Sequence, residues 1–161
     1  MVMIGDRPLL WHVMRYYAHF GHTDFTLCLG YGANYVKDCF LNYQETASND
    51  FLLYDGGRTV KLITSDIADW RIRFVDTGLN ATIAERLLRV RKYVEGDEIF
   101  LANYADLLTD APLPELVAEL AGSDAAAMLL AAPPQSSFHV ARGRRRSQGA
   151  RAEVRAHASH P

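Results

Sequence analysis

Several features that define common protein classes are scarce or missing in this sequence of 161 residues. Only two cysteines are present, Cys28 and Cys39, so a disulfide framework is excluded and a reducing, cytoplasmic location is expected. No apolar run approaches the roughly 18 residues of a membrane-spanning helix, and the start does not resemble a signal peptide. Histidines and cysteines do not occur at zinc-binding spacing, and no Ser-His-Asp or Cys-His arrangement follows from spacing.

What the sequence does contain is enough apolar material for one packed domain. Hydrophobic residues make up 49% of the chain and aromatic residues 11%, which excludes a wholly disordered protein. Residues 1–140 therefore predict a single folded domain.

The last segment differs sharply in composition from the rest. Residues 141–161 carry a net charge of +5, against −7 for residues 1–140, and lack every large apolar residue except Val154. Such a tail cannot bury a face, so disorder is expected. One alternative is a basic arm for nucleic acid or anionic membrane. Another is a frameshifted end, because the chain has 14 arginines and three lysines, a ratio typical of high-GC coding sequence. We expect binding to neither nucleic acid nor membrane.

Strands and helices alternate along residues 1–132. Gly21 should stop the first helix, Asn34 should cap the second, and the third should turn Ile83, Leu87, Val90 and Val94 inward. The predicted helices are 8–20, 35–40, 82–94 and 114–120; the predicted strands are 25–29, 71–75, 98–102 and 125–131; a β-hairpin is predicted at 51–54 and 59–63.

This alternation predicts an α/β fold. The four strands should form one mainly parallel sheet in a three-layer core, with the hairpin as an insertion. In such sheets the ligand crevice lies beyond the carboxyl ends of the strands, which places residues 30–32, 76–78 and 104–106 there.

An ordered set of motifs resembles a known family. The set comprises Met1-Val2-Met3-Ile4-Gly5-Asp6-Arg7-Pro8-Leu9-Leu10-Trp11-His12-Val13-Met14, Cys28-Leu29-Gly30-Tyr31, Val36-Lys37, Phe40-Leu41-Asn42-Tyr43, Val75-Asp76-Thr77-Gly78, Arg86-Leu87-Leu88-Arg89-Val90 and Tyr104-Ala105-Asp106. In this order they resemble the sugar-1-phosphate nucleotidyltransferases, and within that superfamily the glucose-1-phosphate cytidylyltransferases. The resemblance covers most of residues 1–138 and implies a Rossmann-like nucleotidyltransferase fold.

The resemblance implies a reaction and its partners. CTP and α-D-glucose 1-phosphate would give CDP-glucose and pyrophosphate with Mg²⁺, by in-line attack of the sugar phosphate on the α-phosphorus. Catalysis of this kind rests on positioning and charge neutralisation rather than on a protein nucleophile. Another nucleotide or sugar phosphate is an alternative, and a homo-oligomer is the further partner we consider.

The same resemblance assigns roles to individual residues. It implies nucleotide binding by Gly30, Tyr31 and Arg86, substrate binding by Thr77, Gly78 and Tyr104, and Mg²⁺ binding by Asp106. The alternatives are plain turns for the glycines, Thr77 and Asp106, and a solvent-facing helix arginine for Arg86. The sequence departs from the family pattern where Ala105, Ala84 and Glu85 replace glycines.

One part of the family pattern does not occur in the 161 residues. The family's glycine-rich GGxGTR loop, which holds the triphosphate, is absent, and the resemblance stops near Val140. Residues 1–140 are therefore expected to form a partial, incomplete nucleotidyltransferase-like domain with impaired activity. A non-catalytic binding or assembly protein built on the same fold is the alternative.

Overall fold

The computed structural model describes residues 2–131 and the backbone of residues 151–152. It divides into two compact units, Met1–Thr109 and Asp110–Pro161. The fold class is the predicted one, because both helices and strands are present and the longest strand pair is parallel. No helix in the described part of the chain is long and apolar enough to cross a membrane.

The first unit begins with a small antiparallel pair and a helix. Strand β1 (Met3–Ile4) pairs with β2 (Arg7–Pro8), and helix α1 (Leu9–His19) follows directly. The predicted helix at 8–20 is thus confirmed, and its buried side chains are Leu10, Val13 and Met14. Gly21 follows the helix with φ +87°, a backbone angle that favours glycine and redirects the chain into the next strand.

Two parallel strands form the centre of this unit. Strand β3 (Asp24–Leu29) pairs with β6 (Arg71–Asp76) in a register that sets Asp24 beside Arg71 and Leu29 beside Asp76. Both predicted strands are confirmed. Most of their side chains are half-buried, and Leu29 is buried. The parallel register brings the carboxyl ends of the two strands to one edge.

The chain between these strands contains a helix and the hairpin. Helix α2 (Ala33–Leu41) begins after Gly32, whose φ is +73°, so Asn34 lies inside the helix and is not its cap. Strands β4 (Phe51–Tyr54) and β5 (Thr59–Leu62) form the predicted antiparallel hairpin. The hairpin is therefore an insertion between the two parallel strands, as expected.

Helix α3 (Ile83–Val90) begins at a capping box. The Thr82 hydroxyl accepts from the Glu85 backbone, and the Glu85 carboxylate accepts from the Thr82 backbone at 2.7 Å. The bonds that the Glu85 carboxylate accepts from the backbone N–H and the hydroxyl of Thr82 lower the pKa of Glu85. The predicted helix is confirmed in place, but the predicted inward face is wrong, since Val90 is buried whereas Ile83 and Leu87 are exposed. A short 3₁₀ turn, Arg91–Tyr93, ends the helix before Val94.

Two predicted strands are corrected by the structure. Residues 98–102 form no strand, and Phe100 and Leu101 are exposed, because an apolar run becomes a strand only where another strand accepts its hydrogen bonds. In the second unit only β7 (Leu129–Leu130) forms within 125–131, and it pairs antiparallel with β8 (Arg151–Ala152). The parallel sheet of the described residues thus has two strands rather than four.

The second unit also contains helix α4 (Leu113–Ala121), which confirms the helix predicted at 114–120. The proline at its second position suits a first turn, where the missing N–H has no helical partner. The predicted disorder of residues 141–161 lies outside the described residues, apart from the backbone of β8.

Candidate functional site

The carboxyl ends of β3 and β6 are joined through Thr77. Its backbone N–H and its hydroxyl both donate to the Leu29 carbonyl oxygen, each at 2.8 Å. Thr77 follows β6 and Gly30 follows β3, so these bonds fix the two chain segments side by side. The predicted convergence of residues 30 and 77–78 at one sheet edge is therefore present.

Two arginines of α3 reach Thr77 from the same direction. Arg86 Nη1 donates to the Thr77 hydroxyl at 2.6 Å, and Arg89 donates to the Thr77 carbonyl oxygen. Thr77 has no exposed surface, so its hydroxyl and carbonyl serve internal bonds. Thr77 therefore does not contact a ligand directly, and it can shape a ligand pocket only by holding the neighbouring loop in place.

Gly30 lies under the Arg86 guanidinium. A Cβ atom at Gly30 would stand 2.7 Å from Arg86 Nη2, 2.9 Å from Nη1 and 3.0 Å from the Gly78 carbonyl oxygen. Only glycine leaves room for this approach. Arg86 Nε also donates to the Ala81 carbonyl oxygen at 3.1 Å, so the half-buried guanidinium is held in place over the strand end.

Gly78 has a backbone that other residues rarely adopt. Its φ is +84°, and a Cβ there would stand 2.8 Å from Arg89 Nη1. Its N–H donates to the Asp76 carboxylate at 2.9 Å, which closes the turn after β6. Glycine at this position thus permits both the turn and the approach of Arg89.

The remaining predicted residues are more exposed. Tyr31 directly follows Gly30 and is 92% exposed, whereas Tyr104 is 57% exposed. Asp106 lies in an exposed turn. Within residues 2–131, the structure gives no hydrogen bond or ring contact that joins Tyr104 or Asp106 to the Thr77 cluster. The structure therefore brings together Gly30, Thr77, Gly78 and Arg86.

This edge carries the guanidinium groups of Arg86 and Arg89 together with the carboxylate of Asp76. Burial raises the pKa of the neighbouring Cys28 thiol, and the charge of Arg86 opposes that rise. Among the described residues, no three His, Cys, Asp or Glu side chains form a group that would hold a metal ion. The half-buried Arg86 guanidinium is the group of this edge that could bind an anion.

Sequence reasoning missed Arg89 as a member of this cluster. The signal for it was the spacing of three residues from Arg86, which places both on neighbouring turns of one helix. It also missed a buried polar cluster around Asp66, which accepts hydrogen bonds from Tyr43 at 2.9 Å and Ser48 at 2.8 Å. Asp66 lies 18 residues or more beyond Tyr43 and Ser48 in the sequence, so no local sequence pattern predicts this cluster.

The Asp66 cluster shifts two pKa values. Burial works to raise the pKa of Asp66, but the bonds from Ser48 and Tyr43 outweigh it and hold that pKa below its usual value. Burial and the neighbouring carboxylate raise the pKa of Tyr43 to about 12. The Arg7 guanidinium lies 4.0 Å from the Tyr43 ring centre and also donates to Ser48. This cluster joins the chain on both sides of the hairpin to Arg7 of β2.

Comparison with known proteins identifies relatives but no matching family model. The chain is 34% identical over 138 residues to a probable glucose-1-phosphate cytidylyltransferase of Bacillus subtilis, covering 86% of this chain and 53% of that protein. It is 36% identical over 110 residues to the glucose-1-phosphate cytidylyltransferases of Salmonella typhimurium and Salmonella typhi, covering 68% of this chain and 42% of theirs. The chain thus spans about half the length of these curated relatives. The resemblance found in the sequence is confirmed.

Proposed function

We propose that this chain, a homologue of the glucose-1-phosphate cytidylyltransferases within the sugar-1-phosphate nucleotidyltransferase superfamily, contributes to nucleotidyl transfer from CTP to glucose 1-phosphate. The proposal takes its substrates from the names of those relatives. Transfer would form a bond between a phosphate oxygen of the sugar phosphate and the α-phosphorus of CTP, and it would break the bond to the leaving pyrophosphate.

The observation that carries this proposal is the position of Arg86 over Gly30. A guanidinium has five N–H donors, and two of those of Arg86 are used by Thr77 and Ala81. The others lie at the carboxyl end of a parallel strand pair, where α/β proteins bind their ligands. A fixed, part-buried cation with unused donors is suited to an anionic nucleotide, because charged hydrogen bonds are stronger away from bulk water.

The Thr77–Gly78 turn and Tyr31 would complete the chain's own contribution. The Asp76 carboxylate holds the Gly78 N–H, and the Arg89 guanidinium occupies the space where a side chain at position 78 would stand, so a ligand at this turn would meet Arg89. The exposed Tyr31 ring offers a flat apolar surface for a base or sugar. Tyr104 is proposed as a further substrate contact on the basis of the sequence motif alone.

Mg²⁺ is proposed as the cofactor, with Asp106 as its protein ligand. Mg²⁺ is commonly held by one or two carboxylates together with substrate phosphates, so one exposed carboxylate fits such a role. When bound, the ion would neutralise charge on the phosphates. The proposal also includes a cytoplasmic location, which agrees with the two free cysteines.

Nucleotide binding is tested by thermal stabilisation of the 161-residue chain. CTP with Mg²⁺ should raise the melting temperature, because a ligand at about 100 times its Kd stabilises the folded state by about 2.7 kcal/mol. Arg86→Ala should abolish the shift. Arg91→Ala is the matched control, because Arg91 is an exposed arginine just beyond the same helix.

Parallel titrations distinguish the alternatives. A larger shift with UTP, ATP or dTTP than with CTP would replace the proposed nucleotide. Unchanged stability with every nucleotide would favour the non-catalytic binding or assembly protein. A CTP shift that survives Arg86→Ala would remove Arg86 from the site.

A further inference from the structure

The Arg86 side chain is held by the segment that precedes its own helix. Its Nε donates to the Ala81 carbonyl oxygen at 3.1 Å, and its Nη1 donates to the Thr77 hydroxyl at 2.6 Å. Both acceptors belong to residues 77–82, which connect β6 to α3. The position of the guanidinium over Gly30 therefore depends on how this segment is held against the first turn of α3.

Glu85 holds the end of this segment. Its Oε2 accepts from the Thr82 N–H at 2.7 Å and from the Thr82 hydroxyl at 2.9 Å, and its own N–H donates to that hydroxyl at 3.3 Å. Thr82 directly follows Ala81, and Glu85 directly precedes Arg86. These three hydrogen bonds therefore set the distance between the backbone of Arg86 and the carbonyl oxygen that its Nε binds.

The Glu85 carboxylate is ionised at neutral pH. The bonds from the Thr82 backbone and hydroxyl lower the pKa of Glu85, and the charge of Arg89 adds to that effect. An ionised carboxylate is a stronger acceptor than a neutral group, so the restraint on Thr82 is a firm one. Glycine, which the family resemblance gives at this position, has no side chain and could not form these bonds.

We propose that Glu85 is a positioning residue for Arg86: by holding Thr82 it keeps the Arg86 guanidinium over Gly30, in the place from which that group would bind the nucleotide. The nucleotide part of this inference rests on the proposed function, whereas the placement of the guanidinium does not. Glu85 itself contacts no ligand. Loss of its side chain would leave the charge of Arg86 in the chain but would release the guanidinium from its place.

The Cys28 thiol reports the position of Arg86 without any nucleotide. Burial raises the pKa of this thiol, and the charge of Arg86 opposes the rise. Cys39→Ser leaves Cys28 as the only thiol of the chain, so the pH midpoint of its alkylation by iodoacetamide follows that pKa. In this background Glu85→Ala should move the midpoint upward, towards the value given by Arg86→Ala.

Two further variants show whether the hydrogen bonds of Glu85 are responsible. Glu85→Gln keeps an oxygen that accepts the same bonds, so it should leave the midpoint near that of the Cys39→Ser chain. Glu95→Ala is the matched control, because Glu95 is an exposed glutamate whose ionic partner is Arg91. Since Glu85 is itself exposed, its substitution removes nothing from the core. A midpoint that Glu85→Ala leaves unchanged, or that Glu85→Gln raises equally, would overturn the proposal.

CTP titration of the same variants separates this inference from the proposed function. Glu85→Ala should raise the apparent Kd for CTP with Mg²⁺ about tenfold, because a displaced guanidinium loses a charged hydrogen bond to the ligand. A helix cap that serves stability alone would lower the melting temperature but change neither the Cys28 midpoint nor the Kd, which would overturn the proposal. Absence of CTP binding by the unchanged chain would refute the proposed function, and the Cys28 midpoints would still decide whether Glu85 positions Arg86.

Discussion

Arg86 donates a 2.6 Å hydrogen bond to the hydroxyl of Thr77, a residue with no exposed surface. This bond connects the first turns of α3 to the carboxyl end of β6. Because the same hydroxyl donates to the Leu29 carbonyl oxygen, one side chain links a helix and both parallel strands. The stability of the strand ends therefore depends on Thr77.

Thr77→Val should destabilise the chain by about 1–3 kcal/mol, because the half-buried Arg86 N–H would lose its acceptor and the Leu29 carbonyl oxygen would keep only the Thr77 backbone N–H. Valine keeps the shape of threonine, so packing is a minor part of this cost. Urea denaturation measures the free energy of unfolding of both chains. Thr77→Ser keeps the hydroxyl and should cost less; equal losses in the two variants would show that the methyl group, not the hydroxyl, matters.

Gly30→Ala should displace Arg86. The new Cβ would stand within 3.0 Å of two guanidinium nitrogens and of the Gly78 carbonyl oxygen, so the side chain must move and overpacking should cost about 1–3 kcal/mol. CTP stabilisation should fall with it. Gly96→Ala is the control, because its Cβ meets nothing within 4 Å. An alanine at position 30 that leaves both stability and the CTP shift intact would contradict the described site.

Asp66 should make the chain sensitive to acid. Its folded-state pKa lies below the usual 3.8, so its stabilising contribution is complete well above that pH and is lost as the pH falls through the folded value. The unfolded state binds the proton more readily, which fixes the sign. Asp66→Asn should therefore lose most stability at pH 7 and least at pH 3, as measured by urea denaturation at both values. A pH-independent loss would mean that charge is not the cause.

The 161-residue chain should show no detectable turnover of CTP and glucose 1-phosphate. It contains no GGxGTR loop, and the loss of one well-placed transition-state donor typically lowers rates by about 10²–10³. The resemblance implies that this loop supplies several donors to the triphosphate, and losing them together should bring activity below detection, even if the losses are not additive. Pyrophosphate release with Mg²⁺ measures this. Turnover above a no-enzyme control that Asp106→Asn removes would refute the prediction.

Local sequence patterns were sufficient to predict the helix at 8–20, the two parallel strands and the hairpin. Each has a period, a turn residue or a capping residue within a few positions, as with Gly21 after α1 and Asp55–Gly57 between the hairpin strands. The motifs at Gly30 and Thr77–Gly78 could also be placed, because strand ends in a parallel sheet meet at one edge.

The sequence by itself determined which segments become helix or strand where the signal lies within one segment, and it indicated the family. Tertiary structure decided what depends on a partner distant in the chain. Residues 98–102 have the composition of a strand, but within the described residues no strand pairs with them. The spacing of apolar residues in α3 also does not show that Val90 is the buried side chain of that helix. The convergence of Arg86 and Arg89 on Thr77 likewise required β6 and α3 to pack together. Backbone hydrogen bonds between strands and the burial of side chains are relations between segments, so only the folded chain fixes them.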